Sequence, residues 1–529
     1  MNKVVLIGID GGTFDLIKPL VRDGKLPTFK KLLDGGVHGN LKTTIPCLSL
    51  PAIPSMFSGM NPGKLGVFGF LKKDGSSVTY GDIGEDYIWD IVARKGRRSC
   101  IVDVTGTYPP MMENGVMISG SAPSEQSEYV YPKELKPKVR GFYSEFDHLK
   151  SLESNPQKNR SEILRVAVSS QRKKWKTFKS LMENGNFDFG VFWIVQSDDI
   201  QHFYWGVEDV ILKFYKEIDG LLNDLIVTFG NYNIIVVSDH GFHSGIKHYF
   251  HVNSWLREKG YLKMKGRKLT QWLIYRISTV SQRLWRSLPR KAKYFLLKFL
   301  SLSSSRTSLG AGDAASTSGN FFLFGIDWEN TVIYADSTSI GLRIKAKNQK
   351  LYDHLRSKII GELKSLRDSS GNPVIREVWK REEIFWGKYS HLTPDVILLM
   401  AEDYQMNVFL SESIIAEVES KRKKRFRGDH LNARNGVFSA FGPIFKSNCE
   451  IRDLSILDVA PTVLHIMGCE LQEEMDGKVI TEAFNEESGL REKEIRFQKH
   501  KVKAKRSKKL ASEERDKMRE RLKALGYLG

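Results

Sequence analysis

A chain of 529 residues that is 41% hydrophobic and 11% aromatic holds enough apolar material for a sizeable core, which excludes wholesale disorder and a single small module. Four cysteines (Cys47, Cys100, Cys449, Cys469) lie far apart with no CxxC pair, which argues against a disulfide scaffold or a structural zinc finger and fits a reducing compartment. The formal net charge of +19 belongs to two segments: residues 257–306 carry 14 Lys/Arg against one acid, and residues 491–523 carry 15 against six, which leaves the rest of the chain slightly acidic.

Met1-Asn2-Lys3 leads straight into the apolar run Val4–Ile9, with no room for a signal peptide, and no later stretch reaches the roughly 18 uncharged apolar residues of a membrane span. A cytoplasmic location is the expectation. Val4–Ile9 has the pattern of a buried parallel strand, as do Cys100–Val104, Phe189–Val195, Ile234–Val237 and Val396–Met400. Between them, Ser161–Met182 carries Leu164, Val168, Trp175, Phe178 and Met182 at the three- and four-residue spacing of an amphipathic helix. Strands alternating with helices predict an α/β fold: a mostly parallel sheet with helices on both faces. The predicted layout is a catalytic core from residues 1–250 and 430–485, an inserted cap over 251–429, and a basic tail over 486–529.

Residues 257–306 mix their cations with Trp272, Ile277, Trp285, Phe295 and Phe299, so they read first as helices whose apolar face covers the core. The alternative is peripheral association with an anionic membrane. Ser301–Gly319 reads as a loop, and the tail from Lys499 to Lys509 as a solvated extension. No nucleic-acid motif accompanies the charge.

The residues just past the strands point to chemistry. Val4–Ile9 ends in Asp10-Gly11-Gly12, Phe189–Val195 runs into Ser197-Asp198-Asp199-Ile200-Gln201-His202, and Ile234–Val237 ends in Ser238-Asp239-His240-Gly241. In open parallel sheets the active crevice lies beyond the carboxyl ends of the strands. One helical turn separates Asp198 from His202 and places both on one side. An Asp after a strand also serves as a helix cap, and a lone histidine also serves structure. Several of them converging on one edge favour a divalent metal, which relieves the repulsion among carboxylates and takes imidazole as a further ligand. Ser49, followed by Pro51, reads as a helix N-cap; a serine there becomes a nucleophile only when a metal or base activates it. His243, His248 and His251 crowd behind His240 without being needed for this set, although His243 is placed to touch substrate.

Asp10-Gly11, Ser49-x-Pro-Ala before Ser58-Gly59-Met60-Asn61-Pro62-Gly63, Asp198-x-x-Gln-His202, Ser238-Asp239-His240-Gly241 and Gly428-Asp429-His430 resemble the motifs of the alkaline phosphatase superfamily. Within it the chain resembles the type I phosphodiesterase/nucleotide pyrophosphatase-like branch of phosphohydrolases and phosphomutases. The resemblance implies two divalent metals, typically zinc with manganese as the alternative. One would take Asp198, His202 and His430; the other Asp10, Asp239 and His240, with Ser49 Oγ as ligand and attacking atom. The implied activity is hydrolysis of a phosphodiester or phosphomonoester through a phosphoseryl intermediate, or a phosphomutase using the same intermediate. Serine stands where this branch more often has threonine. Ala52 stands where nucleotide pyrophosphatases carry Asn, and Ile53 where a sulfatase needs Arg.

Overall fold

The structure is a computed structural model and describes residues 2–72, 76–120, 122, 124–265, 326–336, 340–499 and 514. Most of the basic amphipathic segment, the Ser301–Gly319 loop and nearly all of the tail beyond residue 499 lie outside the described residues.

Val4–Ile9 is buried along its whole length and pairs in parallel with Phe189–Ile194 on one side and Asn233–Val237 on the other. Ser99–Val102 and then Gly115–Ile118 continue the parallel run. Beyond Asn233–Val237 the sheet turns antiparallel through Asn435–Phe441, which pairs with Val37–Lys42. Ten strands make up this sheet. Alternate residues of the first strand feed different cores, as a pleated strand requires. Val4 and Leu6 pack in a cluster with residues of the helices Ser49–Ser58, Ile88–Arg94 and Val459–Ile466. Val5, Ile7 and Ile9 pack in another with residues of Phe14–Arg22, Pro27–Asp34, Arg160–Gly185 and Glu208–Thr228. With helices over both faces, the strands have no polar side to present, which is why they read as unbroken apolar runs.

The helix predicted over Ser161–Met182 forms as Arg160–Gly185. The strand predicted over Cys100–Val104 stops at Val102, where Asp103 takes the left-handed backbone (φ 62°) and ends the pairing. Val396–Met400 requires a correction. It is a strand, but it lies outside the parallel sheet, between Gly341–Ile344 and Ile375–Lys380 in a four-stranded antiparallel sheet. Its inner residues pack in a third cluster that includes Phe250, Trp255, Leu342, Ile359 and Val378. Helix Gln349–Lys364 contributes to that cluster, so the strand is buried without being parallel. No helix among the described residues is long and apolar enough to cross a membrane.

Candidate metal centre

Five segments meet at one end of the sheet. Asp10 follows Val4–Ile9, and Asp239-His240 follow Asn233–Val237 after Ser238. Helix Gln196–Tyr204, which follows Phe189–Ile194, carries Asp198 and His202 one turn apart. His430 precedes the antiparallel Asn435–Phe441, and Ser49 follows Val37–Lys42, which ends at the same edge. All seven residues predicted for the site come together there. Asp10, Asp198, Asp239, His240, His430 and Ser49 are buried, and His202 is nearly so.

Asp198 stands at the centre. Its Oδ2 lies 3.4 Å from His202 Nε2 and its Oδ1 3.8 Å from His430 Nε2, and donor atoms of these three residues lie within 4.8 Å of one another. A second group of the same compactness joins Asp198 to Asp10 and His240, with Asp10 Oδ1 at 3.6 Å from His240 Nε2. Asp239 Oδ2 is 3.4 Å from that same Nε2. Asp198 therefore faces both groups, whereas the resemblance would have given it to one.

The backbone orients the three rings. His202 Nδ1 lies 3.0 Å from Gly428 O, His240 Nδ1 3.0 Å from Gly241 O, and His430 Nδ1 2.8 Å from Cys47 O. A carbonyl oxygen can only accept, so each Nδ1 carries a proton, and each Nε2 is the ring atom that faces the carboxylates. The Nε2 atoms and carboxylate oxygens lie 3.4–3.8 Å apart, and a backbone-anchored imidazole is the usual form of a metal-ligating histidine. Asp10 Oδ1 is buried and, among the described residues, accepts no hydrogen bond.

The electrostatics agree. Burial, followed by the charges of Asp239 and Asp198, holds the Asp10 carboxyl well above the usual range. Burial raises Asp239 as well, against the pull of His240. His430 is held well below the ordinary imidazole value by burial and then by His240 and His202. A pocket that disfavours both a lone carboxylate and a lone imidazolium is one that a dication neutralises. Carboxylate and imidazole donors fit two divalent ions of the zinc or manganese type.

Ser49 differs from its predicted role as N-cap. It is the first residue of the helix Ser49–Ser58; Leu48 occupies the cap position, and no side chain caps the helix. Its hydroxyl is thereby left to face the centre, with Oγ 3.3 Å from His240 Nε2.

The sequence model of the type I phosphodiesterase / nucleotide pyrophosphatase family matches residues 4–430. The chain belongs to that family. It is a metal-dependent phosphohydrolase of the alkaline phosphatase superfamily. Among solved structures, human ectonucleotide pyrophosphatase/phosphodiesterase 5 is 13% identical over 92% of this chain and 100% of its own, with a TM-score of 0.49. An inactive variant of the murine protein in complex with AMP is 14% identical over 89% of this chain and 96% of its own, with a TM-score of 0.47. Comparison with curated proteins finds no match.

In this phosphodiesterase-family chain the supports of the site are as specific as the site itself. Ser197 Oγ donates to Asp10 O at 2.7 Å, and Ser238 Oγ to Gly12 O at 2.9 Å. Gln201 Nε2 donates to Gly11 O at 3.0 Å while Tyr215 Oη donates to Gln201 Oε1 at 3.0 Å. Gly11 has φ 65°, which turns its N–H toward Asp239 Oδ1 at 3.2 Å. The non-ligand letters of the Ser-Asp-x-x-Gln-His and Ser-Asp-His-Gly motifs thus tie the Asp10 turn to its neighbours.

Sequence reasoning missed two groups here. Trp193 Nε1 donates to Asp10 Oδ2 at 3.2 Å, and the indole lies across Gly8. A Cβ on Gly8 would sit 1.9–2.3 Å from ring atoms of Trp193, so Gly8→Ala displaces the indole that holds Asp10. Thermal melting is expected to show a loss of about 1–3 kcal/mol, several degrees, together with weaker metal binding. An unchanged melting temperature and metal affinity would contradict this role. Asp429 is the other: against the burial that would raise it, His430, His202 and His243 hold it below the usual carboxylate range. Only its place beside His430 could have flagged it.

The remaining histidines divide. His251 Nδ1 lies 3.0 Å from Phe409 O and His248 stacks on Tyr404, both in the small sheet beside the centre. His243 anchors Nδ1 on Ser244 O at 2.6 Å, and its Nε2 is buried and, among the described residues, without a hydrogen bond. Lys42 and Lys64, which flank the serine segment, pair with Asp453 and Asp476 at 2.6 and 2.7 Å.

Proposed function

We propose that the chain hydrolyses phosphate esters by way of Ser49, with Asp198, His202 and His430 holding one divalent ion and Asp10, Asp239 and His240 a second. The observation that carries this reading is the placement of Ser49 Oγ, 3.3 Å from His240 Nε2, beside two overlapping groups of carboxylates and backbone-anchored imidazoles. Zinc suits the donor set, with manganese the alternative. When bound, the two cations supply the charge that lowers the pKa of a hydroxyl and stabilises a departing oxygen.

The chain's own contribution is orientation. The start of Ser49–Ser58 aims the serine oxygen and adds the positive end of a helix to an anionic substrate. Trp193 and the backbone carbonyls hold the ligands in one arrangement before substrate arrives. In the proposed reaction Ser49 Oγ forms a bond to phosphorus, the ester P–O bond breaks and the alcohol leaves. The serine proton is lost and the alcohol gains one; water then restores the serine hydroxyl and releases inorganic phosphate from a monoester substrate or a phosphate monoester from a diester. A phosphomutase would pass the phosphoryl group back to substrate from the same serine.

Residues 251–429 are proposed as the region that shapes the substrate end of the site. A reducing, cytoplasmic setting belongs to the same proposal, since all four cysteines are unpaired. The test is a panel of phosphomonoesters, phosphodiesters and sulfate esters on zinc- and manganese-loaded protein, with and without an alcohol acceptor. Turnover of phosphate esters without need of an acceptor is expected. Turnover of sulfate esters alone would refute the reading, and acceptor-dependent turnover would make the chain a mutase.

A further inference from the structure

A positive charge stands beside the nucleophile segment that the metal centre does not use. Arg434 lies four residues after His430 and directly before Asn435–Phe441, at the end of the sheet where Ser49 sits. Its carbonyl accepts from Thr43 N at 2.8 Å, which fastens it to the segment that leads into Ser49. Its guanidinium lies over Trp379, 5.4 Å from the ring centroid. Trp379 belongs to Ile375–Lys380 of the antiparallel sheet. Arg434 therefore occupies the seam between the two sheets, where Ile45 packs against Ile340, Phe385 and Ile397.

Among the described residues the Arg434 side chain forms no hydrogen bond or ion pair, and its Nε is buried. Arg376, on the same strand as Trp379, has Glu402 at 3.8 Å as its counterion. A guanidinium taken partly out of water without an anion is costly, and stacking on an indole offsets only part of that. Ala433, directly before Arg434, accepts from Gly241 N at 3.0 Å, so Arg434 stands in the backbone between the His240 segment and the segment that leads into Ser49.

We propose that Arg434 forms a second anion subsite, stacked on Trp379, which receives a further carboxylate or phosphate carried by the phosphate ester. This rests on the reading of Ser49 as the attacking atom. The guanidinium fork suits either oxyanion, and the subsite would favour esters with a second negative group over esters with a neutral one.

Calorimetric titration of the metal-loaded full chain with non-hydrolysable probes tests it. Methylphosphonate supplies one anion; phosphonoacetate, 3-phosphonopropionate and 4-phosphonobutyrate add a carboxylate at increasing reach, and methylenebisphosphonate adds a second phosphonate. At least one doubly anionic probe is expected to bind wild type about tenfold or more tighter than methylphosphonate. Arg434→Gln should remove that gain, and Arg434→Lys should keep part of it. No gain in wild type, or a gain that survives Arg434→Gln, overturns the subsite. So does an equal loss of methylphosphonate binding, which would place the guanidinium on the transferring phosphate, and so does an Arg434→Gln chain that fails to fold. If wild type binds methylphosphonate nowhere, the Ser49 reading itself falls; binding without a gain sinks the subsite alone.

Discussion

Ser49→Ala is expected to lower kcat on the best phosphate ester by on the order of 10⁴-fold, with metal content staying near two per chain. The substitution removes the only atom assigned to bond formation and leaves every carboxylate and imidazole in place. Ser49 is the first residue of its helix and does not cap it, so alanine there takes away no helix-terminal bond. The fold should melt as wild type does. What activity remains would come from direct attack of water in the same charged pocket. Ser49→Thr keeps the oxygen and should retain a substantial fraction of turnover. Full activity in Ser49→Ala would contradict the mechanism, whereas loss of activity accompanied by loss of metal would make the serine a ligand first.

The second large effect belongs to Asp198. Because its two oxygens lie near His202 and His430 and it also groups with Asp10 and His240, Asp198→Asn weakens both proposed metal sites at once. Elemental analysis after dialysis should find less than one metal per chain, with activity down about 10³-fold or more. His202→Ala touches one group only and should leave about one metal. Metal that binds the folded chain and not the unfolded one stabilises it by about 4 kcal/mol at a thousandfold excess over Kd. A chelator should therefore lower the melting temperature of wild type and leave Asp198→Asn unmoved. Two tightly held metals in Asp198→Asn would show that the carboxylate is peripheral.

Three carboxylates of this site could be read in advance because each lies where an apolar run ends. Asp10, Asp198 and Asp239 come after strands so uniformly buried that their ends are unmistakable. His430 comes after no such run, and the motif resemblance rather than periodicity brought it in. Val396–Met400 misled because burial makes a strand apolar whether its neighbours are parallel or antiparallel. The N-cap reading of Ser49 failed because cap and first helical residue differ by one position, below what a Ser-x-Pro pattern resolves.

Trp193 over Gly8 depends on register between two strands 185 residues apart, which no local pattern encodes. The sharing of Asp198 between two groups, and the stacking of Arg434 on Trp379, likewise exist only once distant segments meet.

Zinc-loaded protein crystallised and phased by anomalous scattering at the zinc edge bears on the central claim most directly. Two peaks roughly 4 Å apart are predicted, ringed by Asp10, Asp198, His202, Asp239, His240 and His430, with Ser49 Oγ within bonding reach of one. Zinc bound elsewhere, or absent from this pocket at saturating metal, would contradict the account.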